Sequence, residues 1–159
     1  MSLFSAGEII QLGIQIEQNG REYYLDVAKK SKSKEAKEIF EFLADEESKH
    51  EKVFKAMLSS VEKYESPEAY SEDYDAYMKS LSKEHVFTGK NKGKEAASLA
   101  KSDLQAVGMA IGFEKDSILL FQEMKKLVSE EGHAAVDKLI EQEQGHLAKL
   151  ALLKGAIKS

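Results

Sequence analysis

No cysteine occurs in this 159-residue chain, and that absence removes a large part of protein chemistry at once. Disulfides, thiolate zinc sites, iron–sulfur clusters and cysteine nucleophiles are all excluded. Long apolar runs are also missing. None approaches the roughly 20 residues needed to cross a bilayer, so a membrane is not an expected partner. An excess of positive charge is lacking as well: the net charge is −5, which argues against nonspecific nucleic-acid binding. Met1-Ser2-Leu3-Phe4-Ser5 has neither a basic stretch nor a signal-like apolar one, and the expected location is therefore the cytoplasm. What remains is 32 % charged and 42 % hydrophobic, neither disordered nor membrane-spanning. It is long enough for one domain with a real core. Any site must be built from carboxylates, histidines and hydroxyls.

Helical periodicity fills most of the chain. Ser5-Ala6-Gly7-Glu8 has the form of a capping box, and a first helix is predicted over about 6–30. Its inner side carries Ile9, Ile10, Gly13, Ile14, Gly20, Tyr24 and Val27, with Glu17 among them. A lysine- and serine-rich turn, Lys29 to Ser33, leads into a second helix over about 34–61. From about 62 to 94 the regularity weakens around the one proline, Pro67, and around Gly89 and Gly93. This reads as a long crossover, with a short helix over about 67–83 that sets Tyr70, Tyr74, Tyr77 and Leu81 on one side. Tyr64 and these tyrosines are expected to cover the end of the bundle. A third long helix starts near Glu95 or Asp103 and runs to Val128, with Val107, Ala110, Ile111, Glu114, Ile118 and Phe121 inside. After a turn over 129–132, where Gly132 reads as a helix C-cap, a fourth helix covers about 134–157. His85 and His133 are expected to be solvated loop residues.

The second helix carries the most telling stretch, Asp45-Glu46-Glu47-Ser48-Lys49-His50. Phe40, Leu43, Glu47, His50, Phe54 and Met57 fall along one helical face, so a carboxylate and an imidazole point together into the apolar side. An unpaired buried carboxylate costs on the order of several kcal/mol. A cation relieves that cost, and residues three apart on one helix can grip the same metal. Among 21 glutamates the Glu-x-x-His spacing alone is weak evidence, and Glu130-Glu131-Gly132-His133 shows how it arises by accident.

An internal repeat makes the spacing specific. Ile14-Gln15-Ile16-Glu17 aligns with Ile111-Gly112-Phe113-Glu114, and Leu43 to Glu47 aligns with Leu139 to Glu143, which brings His50 onto His146. Each half thus contributes one lone glutamate and one Glu-x-x-His pair to the inner face of a helical hairpin. Two hairpins packed face to face gather four carboxylates and two imidazoles, the donor set of a bundle di-metal site. Four carboxylates balance two divalent cations in charge. The competing reading is of two surface Glu–His pairs, with Glu17 and Glu114 as snorkelling surface glutamates. Gly13, Gly20 and Gly112, each costing about 1 kcal/mol inside a helix, suggest close helix approach near the cluster.

On these residues the sequence resembles the ferritin-like superfamily, and within it the rubrerythrin-related di-iron proteins. The resemblance extends over the chain outside the connection near 62–100. It implies an all-α, ferritin-like four-helix bundle of two helical hairpins joined by a long crossover. It also implies metal ligation by Glu17, Glu47, His50, Glu114, Glu143 and His146. Glu47 and Glu143 would bridge two iron ions in an oxo- and carboxylate-bridged pair, with Glu17 and His50, and Glu114 and His146, as terminal ligands. Manganese is the alternative metal. Tyr24, seven residues after Glu17, matches a tyrosine found beside such sites that hydrogen-bonds a ligand or donates an electron. Two departures stand out. Ser117 sits where rubrerythrins carry a further glutamate, and Phe121 is the repeat-mate of Tyr24.

The implied activity is reduction of hydrogen peroxide or dioxygen by a cytoplasmic homodimer. With no cysteine for a rubredoxin-like module, electrons are expected from a separate donor protein. The alternatives are a ferroxidase that handles or stores iron, and a non-catalytic helical module with a structural metal.

Overall fold

A computed structural model describes residues 5–61, 71–85 and 88–157. Among them are six helices and no strand: α1 Ala6–Lys30, α2 Lys34–Val61, α3 Glu72–Glu84, α4 Lys92–Leu99, α5 Asp103–Leu127 and α6 Glu130–Ala156. Two hairpins, α1–α2 and α5–α6, pack face to face, while the crossover lays α4 on α1 and α3 on α5. This is the all-α bundle of two hairpins and a long connection read from the repeat.

Local chemistry explains the ends of the helices. The Ser5 hydroxyl accepts from the Glu8 N–H, and the Glu8 carboxylate accepts from the Ser5 N–H at 2.7 Å, completing the capping box. Ser33 caps α2 through the Ala36 N–H. Its turn is fastened to the other hairpin by Asp103, whose Oδ2 accepts from the N–H groups of Lys32 and Ser33. At the end of α1, Lys30 donates to the carbonyls of Ala97 and Ala100, satisfying acceptors that a helix C-terminus leaves open.

Several expectations need correction. Residues 92–99 form their own helix, separate from α5, with the break at Ala100 to Ser102. Gly132 is not a C-cap: no glycine has positive φ, and Val128 ends α5. Helix α6 begins at Glu130, where two acidic residues in the first turn suit the positive helix N-terminus. His133 therefore lies on α6, half-buried, with Nε2 3.3 Å from the Val128 carbonyl. His85 is not solvated either; it is 2 % exposed. Ile14, Ile111 and Ile118 are only half-buried, whereas Ile16, Tyr23 and Leu120 are buried. Tyr77 is 42 % exposed, while Tyr74 donates to Glu123 at 2.8 Å. Tyr64 and Tyr70 lie outside the described residues.

The core joins the hairpins. Phe54 of α2 meets Phe121 of α5 edge-on at 5.1 Å. A Cβ on Gly13 would come within 3.1 Å of Phe54 and Met124, and one on Gly20 within 3.2 Å of the Glu47 side chain. Both glycines mark close approach. Gly112 does not, having open space on the outer side of α5. Gly93 marks the tightest docking, since a Cβ there would lie 2.0 Å from the Asn19 carbonyl oxygen. Asn19 completes that joint by accepting from the Gly93 N–H and donating to the Gly89 carbonyl.

Candidate metal centre

Each long helix sends one glutamate, and α2 and α6 also one histidine, toward a shared point in the interior. Glu17 comes from α1, Glu47 and His50 from α2, Glu114 from α5, and Glu143 and His146 from α6. All six are at most 5 % exposed. Their donor atoms converge as two overlapping sets, each gathered within 4.8 Å: Glu17, Glu47, His50 and Glu143, and Glu47, Glu114, Glu143 and His146. Glu47 and Glu143 belong to both. Every sequence-predicted metal residue is thus brought to one place, with His50 on the Glu17 side and His146 on the Glu114 side.

Glu143 is the pivot. Its Oε1 lies 2.9 Å from His50 Nδ1 and its Oε2 3.0 Å from His146 Nδ1. The two imidazoles are stacked, with centroids 5.3 Å apart and planes inclined by 15°. His50 Nδ1 is also 3.4 Å from Glu17 and 3.9 Å from Glu47. Tyr24 is buried beside them, and its hydroxyl donates to Glu114 Oε1 at 2.5 Å. Tyr23 is also buried but turns away, donating to the Ala106 carbonyl.

The electrostatics of the protein alone are those of an overcrowded anion cluster. Burial, followed by the charge of Glu143, pushes the Glu17 carboxyl well above the usual carboxylate range. Burial and then Glu17 do the same to Glu47, and burial and then Glu143 to Glu114. For Glu143, burial acts upward, but hydrogen bonds from Glu114, His146 and His50 outweigh it and hold the group below its ordinary value. Burial lowers the His50 pKa, yet the bond to Glu143 reverses this and the net direction is up. Burial and the nearby Glu114 carboxylate raise the Tyr24 hydroxyl well above its normal value.

One observation tests directly whether a metal pair suits these residues. Glu17 is 0 % exposed, and neither of its carboxylate oxygens receives a hydrogen bond. Buried polar atoms are rarely left without a partner. The shortfall here is on a carboxylate aimed at three others and two imidazoles, all hard or intermediate donors that favour a divalent transition metal. The donor set fits two metal ions.

Sequence reasoning missed three neighbours. His85, from the crossover, caps α3 with its backbone N–H and places Nε2 3.0 Å from the hydroxyl of buried Ser117. Burial holds its pKa down to about 4. No periodic signal surrounds His85, so the sequence offers nothing to find it by. Gln142 and Glu46 face the outer nitrogens of the two site histidines. Their signal was present, because each precedes the glutamate of a Glu-x-x-His pair.

Comparison with known proteins supports the same picture. A family model for rubrerythrin matches residues 8–154. The chain belongs to the rubrerythrin family. A crystal structure from Thermotoga maritima, described as a candidate ferritin-like diiron-carboxylate protein, shares 27 % identity with this rubrerythrin-family chain. The two superpose with a TM-score of 0.70 over 97 % of each. No curated protein matches the sequence. As a rubrerythrin-family member the chain is a di-iron protein by kinship, with a buried Glu/His cluster suited to iron. No helix among the described residues is long and apolar enough to cross a membrane.

Proposed function

We propose that this protein is a non-haem di-iron oxidoreductase that reduces hydrogen peroxide, or dioxygen, with electrons from a separate donor protein. The observation that carries the reading is the pair of donor sets sharing Glu47 and Glu143, with both oxygens of Glu17 left without a hydrogen-bond partner. Glu47 and Glu143, common to both sets, would be shared between two irons, with Glu17 and His50 holding one and Glu114 and His146 the other. Two Fe(II) ions held there would supply two electrons, one from each ion. Hydrogen peroxide takes up those two electrons and two protons to give two waters.

The chain's own residues do the rest. Four carboxylates neutralise the two divalent charges and keep the pair buried. Phe54 and Phe121, together with Met124 against Gly13, close the apolar side and limit water. Tyr24 holds a proton at its hydroxyl against Glu114 Oε1, which orients that ligand and places a transferable proton and an oxidisable ring beside the site.

The test is anaerobic Fe(II) loading followed by peroxide. About two irons per chain, with ferric absorption bands rising within seconds of peroxide addition, is the expected result. Full metal retention in both Glu47→Ala and Glu143→Ala would refute the ligand assignment. Iron that binds but ignores peroxide and dioxygen would refute the reaction.

A further inference from the structure

We infer that Glu46 and Gln142 are positioning residues that brace the two site histidines across the hairpins and make the two metal positions unequal. The inference rests on the ligand assignment above. His50 stands on α2, and its Nε2 lies 3.1 Å from Oε1 of Gln142 on α6. His146 stands on α6, and its Nε2 lies 3.7 Å from Oε2 of Glu46 on α2. Each imidazole is therefore faced at its outer nitrogen by the opposite hairpin. Both inner nitrogens, Nδ1, are left pointing at Glu143 and the cluster.

Glu46 and Gln142 are equivalent under the internal repeat, as each immediately precedes the Glu of a Glu-x-x-His pair. The braces are thus related by the pseudo-symmetry of the bundle, but their chemistry differs. One is a carboxylate and the other a neutral amide. The carboxylate is itself oriented: Lys49 donates to Glu46 Oε1 at 2.8 Å, while it is Oε2 that faces His146. The donor sets are otherwise matched, each with one terminal glutamate, one histidine and the shared Glu47 and Glu143.

A ligating histidine hydrogen-bonded at its other nitrogen is fixed in tautomer and orientation, as His50 is by Gln142. Glu46, at 3.7 Å, acts on His146 through its charge, and a carboxylate beside an imidazole makes it the more basic ligand. The difference between the braces therefore falls on one metal position. The position of Glu114 and His146 binds a divalent ion first and more tightly, and that of Glu17 and His50 follows.

Titration with Co(II), followed by its visible absorption and by calorimetry, reads this order without any turnover. The wild type is expected to fill in two resolved steps, with His146→Ala removing the tighter one and His50→Ala the weaker. Glu46→Gln weakens the first step on the order of 10–100-fold and narrows the gap. Gln142→Glu tightens the second step and narrows it from the other side. Two equal steps in the wild type would overturn the inference. So would an unchanged gap in both Glu46→Gln and Gln142→Glu while two Co(II) still bind. A wild type that binds no Co(II) pair would instead overturn the ligand assignment, and the inference with it.

Discussion

Replacing Glu17 by glutamine should stabilise the metal-free protein and weaken the metal-loaded one. Glu17 is wholly buried without a hydrogen-bond partner, and burial with the charge of Glu143 raises its pKa well above 4.5. A carboxyl raised in the folded state contributes stability that is present below the unfolded value and is lost as pH rises through the folded one. The loss is bounded, because the group can fold protonated. Protonating an ordinary carboxyl at pH 7 costs about 1.4 kcal/mol for each pH unit above its ordinary value, or about 3 kcal/mol in all. Glutamine escapes this term and keeps the shape, although its own amide hydrogens need acceptors, which Glu47 and Glu143 provide. We expect Glu17→Gln to add about 1–3 kcal/mol to the metal-free protein at pH 7, a Tm rise of roughly 2–12 °C for a chain of this size. The gain should shrink as pH falls and vanish below about 4.5, where both side chains are neutral. With Fe(II) bound the sign reverses. A lost ligand lowers metal affinity, and with it the stabilisation that mass action confers on the folded state. Thermal melts by circular dichroism, with chelator and with anaerobic Fe(II), at pH 4 to 8, give all four corners. Destabilisation of the metal-free protein at pH 7, or a shift that ignores pH, would refute the reasoning.

Gly20→Ala places a Cβ 3.2 Å from the end of the Glu47 side chain; because that end can swing aside and alanine favours helix, stability should change by less than about 1 kcal/mol. The displaced carboxylate should nonetheless lower metal stoichiometry or affinity, as measured by metal analysis after dialysis. Tyr24→Phe removes the donor to Glu114 and should destabilise the metal-free protein by about 1–2 kcal/mol. It should also slow peroxide reduction while leaving two irons bound. His85 is held down to about 4 from 6.5, so its contribution is full above 6.5 and is lost as pH falls through about 4. His85→Gln should flatten that part of the acid unfolding profile, removing up to about 3 kcal/mol of pH dependence, followed by chemical denaturation between pH 4 and 7.

The six cluster residues were legible because two independent regularities pointed to the same positions. Periodicity put Glu17, Glu47, His50, Glu114, Glu143 and His146 on apolar faces where solvated charges do not belong, and the repeat paired them one half with the other. The crossover was not legible to the same degree. Helix α4 is held by what Gly93 lacks and by the Asn19 side-chain oxygen that accepts from the Gly93 N–H, contacts seventy-four residues apart that no local pattern encodes. His85 likewise owes its burial to a turn pinned at both ends: its N–H bonds the Leu81 carbonyl, and its own carbonyl accepts from Thr88. Gly132 misled because glycine before a new apolar run commonly closes a helix. Here Ser129 with Glu130 and Glu131 forms a stronger opening signal, and the glycine sits in the first turn.

The same contrast separates what holds the bundle from what the bundle holds. Hydrophobic pairing of α1 with α2 and of α5 with α6 requires no charge inside. Yet each hairpin inserts three ionisable ligands where the hairpins face each other, and Glu17 is left with no hydrogen bond. A sequence selected for stability alone would fill those positions with Leu or Met, as it does with Leu43, Leu139 and Met124 nearby. The carboxylates weaken the metal-free fold, and only a bound cation pair turns their mutual repulsion into cohesion. Metal loading should therefore tighten the seam between the hairpins more than the helices within each one. Amide hydrogen exchange can read that difference, with the greatest slowing expected in the turns around Glu47 and Glu143, which both donor sets share.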